Sequence, residues 1–232
     1  MDDPKWERAG NFGGILFVVL IVVTIVIGGS PPKTSDSGVK IAKYFADHRD
    51  DIRWAGFIGA LATIPLFVWL GSVWRLVRRA EGGVPRLAVV ALAGIVFGAV
   101  MAGAAGLVAN AMALRGVVGT GGVSGTKFFF TLSWMFNAGS AVGVAIFIGA
   151  FSVALIRSGI LPKVLGWFGA LVALVLVVGS ASMASENDTL MVLVFVGLTG
   201  ALIFVLAASV LMLRGAGGST PAEPAVAESS AA

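Results

Sequence analysis

Six stretches of this 232-residue chain are apolar with almost no charged interruption: residues 12–29, 54–77, 87–114, 128–156, 164–183 and 190–213. Each is long enough for a membrane-spanning helix, since about 20 residues at 1.5 Å rise cross a ~30 Å hydrocarbon core. The third and fourth are long enough to tilt or to extend beyond the lipid. A soluble helical bundle needs polar faces at helical spacing, and residues 89–108 and 190–213 have none. Lipid offers the backbone no hydrogen-bond partners, so helices that satisfy themselves are favoured. The pattern predicts an all-α fold: a polytopic transmembrane bundle of six helices over residues 12–214, with a short N-terminal segment, 1–11, before it.

The polar intervals refine this picture. Pro31-Pro32 breaks the chain after the first span, and Ser35, Asp36 or Ser37 can cap a short helix running to about Asp51. Val39, Ala42, Phe45 and Ala46 fall on one side of it, and Lys40, Lys43, Asp47 and Asp50 mostly on the other. That predicts an amphipathic helix in the first outer loop, lying on the membrane or over the bundle. Lys5 and Arg8 followed by an apolar run resemble a signal peptide, but Gly28-Gly29-Ser30-Pro31-Pro32 offers no A-x-A-like cleavage site, so an uncleaved first helix is expected. Residues 215–232 are rich in Ala, Gly, Pro, Ser and Glu and are expected to be a disordered cytoplasmic tail.

Charge sets the expected orientation. Charged residues make up 12% of the chain, about half the share in a soluble domain. The net charge of +4 is explained by basic residues at helix ends rather than by nucleic-acid binding. One set of short segments holds Lys5, Arg8, Arg75, Arg78, Arg79, Arg86, Arg157, Lys163 and Arg214; the two short loops opposite hold only Arg115 and Lys127. The positive-inside rule then puts both termini in the cytoplasm, and the expected location is the inner (plasma) membrane. The 30–53 loop opposes this with Lys33, Lys40, Lys43, Arg49 and Arg53, nearly balanced by Asp36, Asp47, Asp50 and Asp51. Trp6, Trp54, Trp74 and Trp167 mark helix ends, where indoles favour the interface.

Two hairpins echo each other. Arg78-Arg79-Ala80-Glu81-Gly82-Gly83-Val84-Pro85-Arg86 and Arg157-Ser158-Gly159-Ile160-Leu161-Pro162-Lys163 both run from Arg through a glycine C-cap to a proline at the first turn of the next helix. A parallel duplication and simple convergence both account for this. Gly94 and Gly98 on the third span, and Gly139 and Gly143 on the fourth, form small-xxx-small pairs that predict close packing of these two helices. Alternatively, one stripe serves a homo-oligomer or another membrane-protein partner.

Candidate chemistry is sparse. No Asp, Glu, Lys, Arg or His lies deep in any span, which argues against proton coupling, charge-lined pores and intramembrane hydrolysis. No cysteine is present. No catalytic residue, metal site or cofactor is expected; the single histidine, His48, has Arg49 and Arg53 competing for its neighbouring carboxylates. Residues 119–127 lack the order of a phosphate loop and are expected to be a flexible loop. The uncharged polar residues Asn110, Asn137, Ser133, Ser140, Thr63 and Ser180 all fall in the expected outer half of the spans, with Ser182 near them. Thr63 and Pro65 are expected to interrupt the second span. These residues either line a shallow ligand pocket or hydrogen-bond between helices.

The loop helix 41–53, the helix end Trp74-Arg75-Leu76 and the run Leu161-Pro162-Lys163-Val164-Leu165-Gly166-Trp167 together resemble bacterial six-helix membrane families of unknown function, over roughly residues 11–213. The resemblance implies no activity, substrate or catalytic residue. The expected role is a structural or interaction component of the plasma membrane. The alternative is a carrier or binding protein for a small neutral or lipophilic ligand. An enzyme on lipid substrates would require acid–base residues at the interface, where only Asp47, His48, Asp50, Asp51, Glu81, Glu186 and Asp188 stand, and is not expected.

Overall fold

The computed structural model describes residues 4–114, 122–185 and 187–216, with side chains described for 8–114, 122–185 and 187–215. Among them run α1 (Pro4–Gly28), α2 (Gly38–Asp47), α3 (Arg49–Glu81), α4 (Arg86–Met112), α5 (Gly122–Ser158), α6 (Lys163–Ser180), a 3-10 turn (Ala181–Met183) and α7 (Asp188–Ala216), with no strand. All but α2 are long and apolar enough to cross a membrane. The helices overrun the apolar stretches. A helix keeps its hydrogen bonds after it leaves hydrocarbon, so polar residues prolong it. α5 has 37 residues, about 55 Å at 1.5 Å per residue, against a ~30 Å core. Residues 122–127, expected as loop, are its first turns; residues 119–121 and 217–232 lie outside the described residues.

α5 is the central helix. In its most apolar window 67% of residues are buried, against 28–39% in the other five spans. Successive spans pack on one another, and α7 returns to α1 to close the order. Aromatic rings run through the core from α3 to α7. Trp69 meets Phe147 edge-on at 5.9 Å, Phe147 meets Phe151 at 6.0 Å, and Phe151 meets Phe204 at 5.5 Å. Pro65 is buried inside α3 and does not interrupt it. Neighbouring helices support a span where proline removes a donor.

The most extensive helix contact is α4 on α5. A Cβ built on Gly94 would lie 2.7 Å from Ile146, 2.8 Å from the Phe147 nitrogen and 2.9 Å from the Gly143 oxygen. One on Gly143 would lie 2.6 Å from both the Gly94 oxygen and the Gly98 Cα. The backbones themselves touch here, so no residue larger than glycine fits. Gly98 is 3.2 Å from the Ser140 oxygen by the same construction, whereas Gly139 meets only Met101, at 3.6 Å. Three of the four glycines make the seam; Gly139 stands at its edge.

α2 lies over the bundle end where α1 finishes and α5 begins. Ser37 caps it, accepting from the Lys40 N–H at 3.3 Å. Its buried face is Gly38, Ile41 and Phe45, packed with Ile52, Met112, Ala113 and Phe130. Val39 and Ala46, expected on that face, are exposed. The helix leans on protein rather than on lipid, and its rotation follows the larger Ile41. The Tyr44 hydroxyl donates to the Gly28 carbonyl at 2.6 Å, tying α2 to the end of α1. Burial, with the nearby Asp51 charge, raises the Tyr44 pKa. Tyr44→Phe removes this bond and is expected to cost about 0.5–1.5 kcal/mol, a drop of about 1–6 °C in melting temperature in detergent; no shift would mean the bond contributes nothing.

The two ends differ in charge. At the α2 end cations pair with carboxylates: Lys33 with Asp188 (3.8 Å), Lys40 with Asp36 (2.8 Å), Lys43 with Asp47 (2.7 Å) and Arg53 with Asp50 (3.7 Å). The hydrogen bond from Lys40, with another from the Lys33 backbone, lowers the Asp36 pKa, and the bond to Asp47 raises that of Lys43. At the opposite, hairpin end stand Arg8, Arg75, Arg78, Arg79, Arg86, Arg157, Lys163 and Arg214, with Glu81 the sole carboxylate among side chains described there. Glu81 accepts from the Leu87 and Ala88 N–H groups at 2.6 and 3.1 Å, closing the first hairpin. Both hairpins turn on a positive-φ glycine, Gly82 (62°) and Gly159 (66°). Pro85 and Pro162 stand one residue earlier than expected, at the N-cap.

Candidate functional site

The polar residues of the spans do not converge on one point. Ser133 donates across the α4–α5 contact to the Ala105 carbonyl at 3.0 Å. The other three hydroxyls turn back on their own helices: Ser140 to Asn137 (2.6 Å), Thr63 to Ala60 (2.6 Å) and Ser180 to Val177 (2.7 Å). Such bonds satisfy a hydroxyl in lipid without presenting it to a ligand. Ser133, Asn137 and Ser140 share one side of α5 by their i, i+4, i+7 spacing, and Ser133 and Ser140 meet α4 there.

Asn110 points elsewhere. Its amide nitrogen lies against Gly56 of α3, where any Cβ would overlap it. From Gly98, which faces α5, Asn110 is roughly 120° around α4 at 100° per residue. The axial offset is equally decisive. Ala105 is level with Ser133; Asn110 lies five residues further toward the α2 end, and Asn137 four residues the other way. At 1.5 Å per residue that separates the two amides by roughly 13 Å along the bundle. The structure groups the α5 residues with one another and does not bring the two asparagines together.

Five buried polar atoms toward the α2 end have no hydrogen-bond partner among the described residues: Arg49 Nε, Asn110 Oδ1, Asn137 Oδ1, Trp134 Nε1 and Ser182 Oγ. Trp134, absent from the sequence-based candidates, packs its ring on Phe195 of α7 at 5.4 Å. Its i−3 spacing from Asn137 was the available signal. His48 sits at the α2–α3 break, stacked on Tyr44 at 4.7 Å with Nδ1 3.1 Å from the Tyr44 backbone carbonyl oxygen.

Six long apolar helices, with many large apolar side chains turned outward (Val100, Leu107, Leu174 and Ile203 among them), define a multi-pass membrane protein in contact with the lipid bilayer. No family model, curated protein or solved structure matches the chain.

Proposed function

We propose that this protein is a non-catalytic structural or interaction component of the bacterial inner (plasma) membrane, with both termini cytoplasmic. The observation that carries this reading is the fate of the polar side chains inside the spans. Ser133 bonds to the Ala105 carbonyl of α4, Ser140, Thr63 and Ser180 bond to carbonyls of their own helices, and Asn110, lying against Gly56 of α3, is roughly 13 Å along the bundle from Asn137. Hydroxyls satisfied on helix carbonyls are not presented to a ligand, and the one that crosses a contact, Ser133, holds α4 to α5. The face of α4 that carries Val100 and Leu107, 61% and 72% exposed, is open to lipid or to a membrane-protein partner, including a second copy. The eight basic side chains at the hairpin end support cytoplasmic termini, and exposed Trp54 and Trp167 suit the two interfaces.

A second reading, a binding protein or carrier for a small neutral or lipophilic ligand, draws on the unpartnered Asn137 oxygen and Trp134 N–H. Both readings are tested together. Photo-crosslinking residues placed at Val100 and Leu107 in native membranes are expected to give discrete protein adducts, and proteoliposomes are expected to show no saturable solute flux. Lipid adducts alone, with a flux that Asn137→Leu abolishes, would replace the first reading by the second. A C-terminal fusion to a fluorescent protein that matures only in the cytoplasm is expected to fluoresce; activity only from a periplasm-dependent reporter would reverse the orientation.

A further inference from the structure

We propose that the hairpin end holds a binding site for a phosphate-bearing anion. The site is a cavity of about 280 Å³ bounded by α1, the end of α3, the α5–α6 hairpin and the end of α7. That volume lies just below the range of small-molecule pockets, as suits a phosphate with part of the group it esterifies. The inference is independent of the role proposed above.

The wall on one side is polar. Ser72, Arg75 and Arg79 follow at spacings of three and four on α3 and so line one face of it. Asn11 of α1 joins them; it is only 6% exposed, and its side chain has no hydrogen bond among the described residues. The opposite wall is apolar, with Leu161 from the hairpin and Leu211 from α7. The guanidinium fork matches phosphate oxygens, and a neutral amide and a hydroxyl add donors without charge. Arg75 has an interaction of its own, so Arg79, Asn11 and Ser72 carry the contact while Arg75 adds positive potential.

Charge at this end favours an anion. The basic side chains gathered there face one described carboxylate, and Glu81 already accepts from two backbone N–H groups. Pairing with its own acids, the solution used at the α2 end, is not open to most of these cations among the described residues. A basic recess between transmembrane helices, half apolar and level with their ends, fits an anionic lipid headgroup with its chains along the apolar wall. A soluble phosphate ester shares the chemistry.

The test uses the full chain in nanodiscs of phosphatidylcholine, with phosphatidylglycerol added to a fifth of the lipid or with inorganic phosphate added to the buffer. Thermal stability and lipid retention by native mass spectrometry are read in wild type, Arg79→Gln and Arg86→Gln. Arg79 and Arg86 are both exposed, so neither change threatens the fold, and Arg86 is not in the cavity wall. Stabilisation by phosphatidylglycerol that weakens about tenfold in Arg79→Gln and persists in Arg86→Gln identifies a lipid headgroup as the ligand. The same pattern with inorganic phosphate alone identifies a soluble anion. Equal weakening in the two variants reveals only diffuse electrostatics and overturns the site, as does absence of stabilisation by either probe.

Discussion

Gly143→Leu is expected to leave almost no folded protein, while Gly139→Ala, four residues away on the same helix, is expected to change nothing or to stabilise slightly. The contrast follows from what each Cβ would touch. At Gly143 it meets backbone of α4, the Gly94 oxygen and Gly98 Cα at 2.6 Å; at Gly139 it meets the Met101 thioether at 3.6 Å. Backbone cannot step aside as a side chain can. Lipid supplies no hydrophobic drive to hold two helices together, so their attraction is dispersion at close range and falls away as they part. Overpacking usually costs about 1–3 kcal/mol. Gly143→Ala is therefore expected to lower the melting temperature by about 2–12 °C, at about 2–4 °C per kcal/mol. Leucine inserts a far larger group into the same contact and takes most of the ~5–15 kcal/mol that a folded chain has. At Gly139, alanine gains up to about 1 kcal/mol of helix propensity with no clash. Size-exclusion profiles and thermal melts of the three variants check this; equal behaviour at the two positions would mean that α4 and α5 do not meet in this register.

The number of spans was legible in the sequence because hydrocarbon thickness imposes a minimum apolar length. Their ends were not, because α1 begins at Pro4, α3 at Arg49 and α5 at Gly122, all in polar sequence. The glycine pattern indicated which two spans meet, but only geometry separates Gly143 at the backbone contact from Gly139 at its margin. The loop helix and its cap were legible in outline. Its buried face was not, because Ile41 lies between the stripe of Val39, Ala42 and Ala46 and the charged side, and packing against Phe130 settled the rotation. Asn110 and Asn137 could be placed by depth but not by azimuth, and a pocket needs both. The hairpin-end cavity was out of reach: its walls come from four separated parts of the chain.

Trp69→Ala is expected to lower the melting temperature by about 6–20 °C, and Trp69→Phe by much less. Trp69 is fully buried where α1, α3, α5 and α7 meet. Its ring stands edge-on to Phe147 of α5. A Cβ on Gly14 of α1 would lie 2.7 Å from its Cδ1 and Nε1 and would also strike the Ser209 hydroxyl of α7. One side chain thus fills the space among four helices, and its removal leaves a cavity that none of them can close alone. Truncating a buried aromatic costs about 3–5 kcal/mol, which sets the range at about 2–4 °C per kcal/mol. Phenylalanine keeps most of the ring contacts and removes the indole N–H, which has no hydrogen-bond partner among the described residues. An unsatisfied buried donor costs about 1–3 kcal/mol, and its loss offsets part of the lost volume. If the two variants melt together, the contacts that phenylalanine keeps contribute nothing, and Trp69 does not fill the space among the four helices.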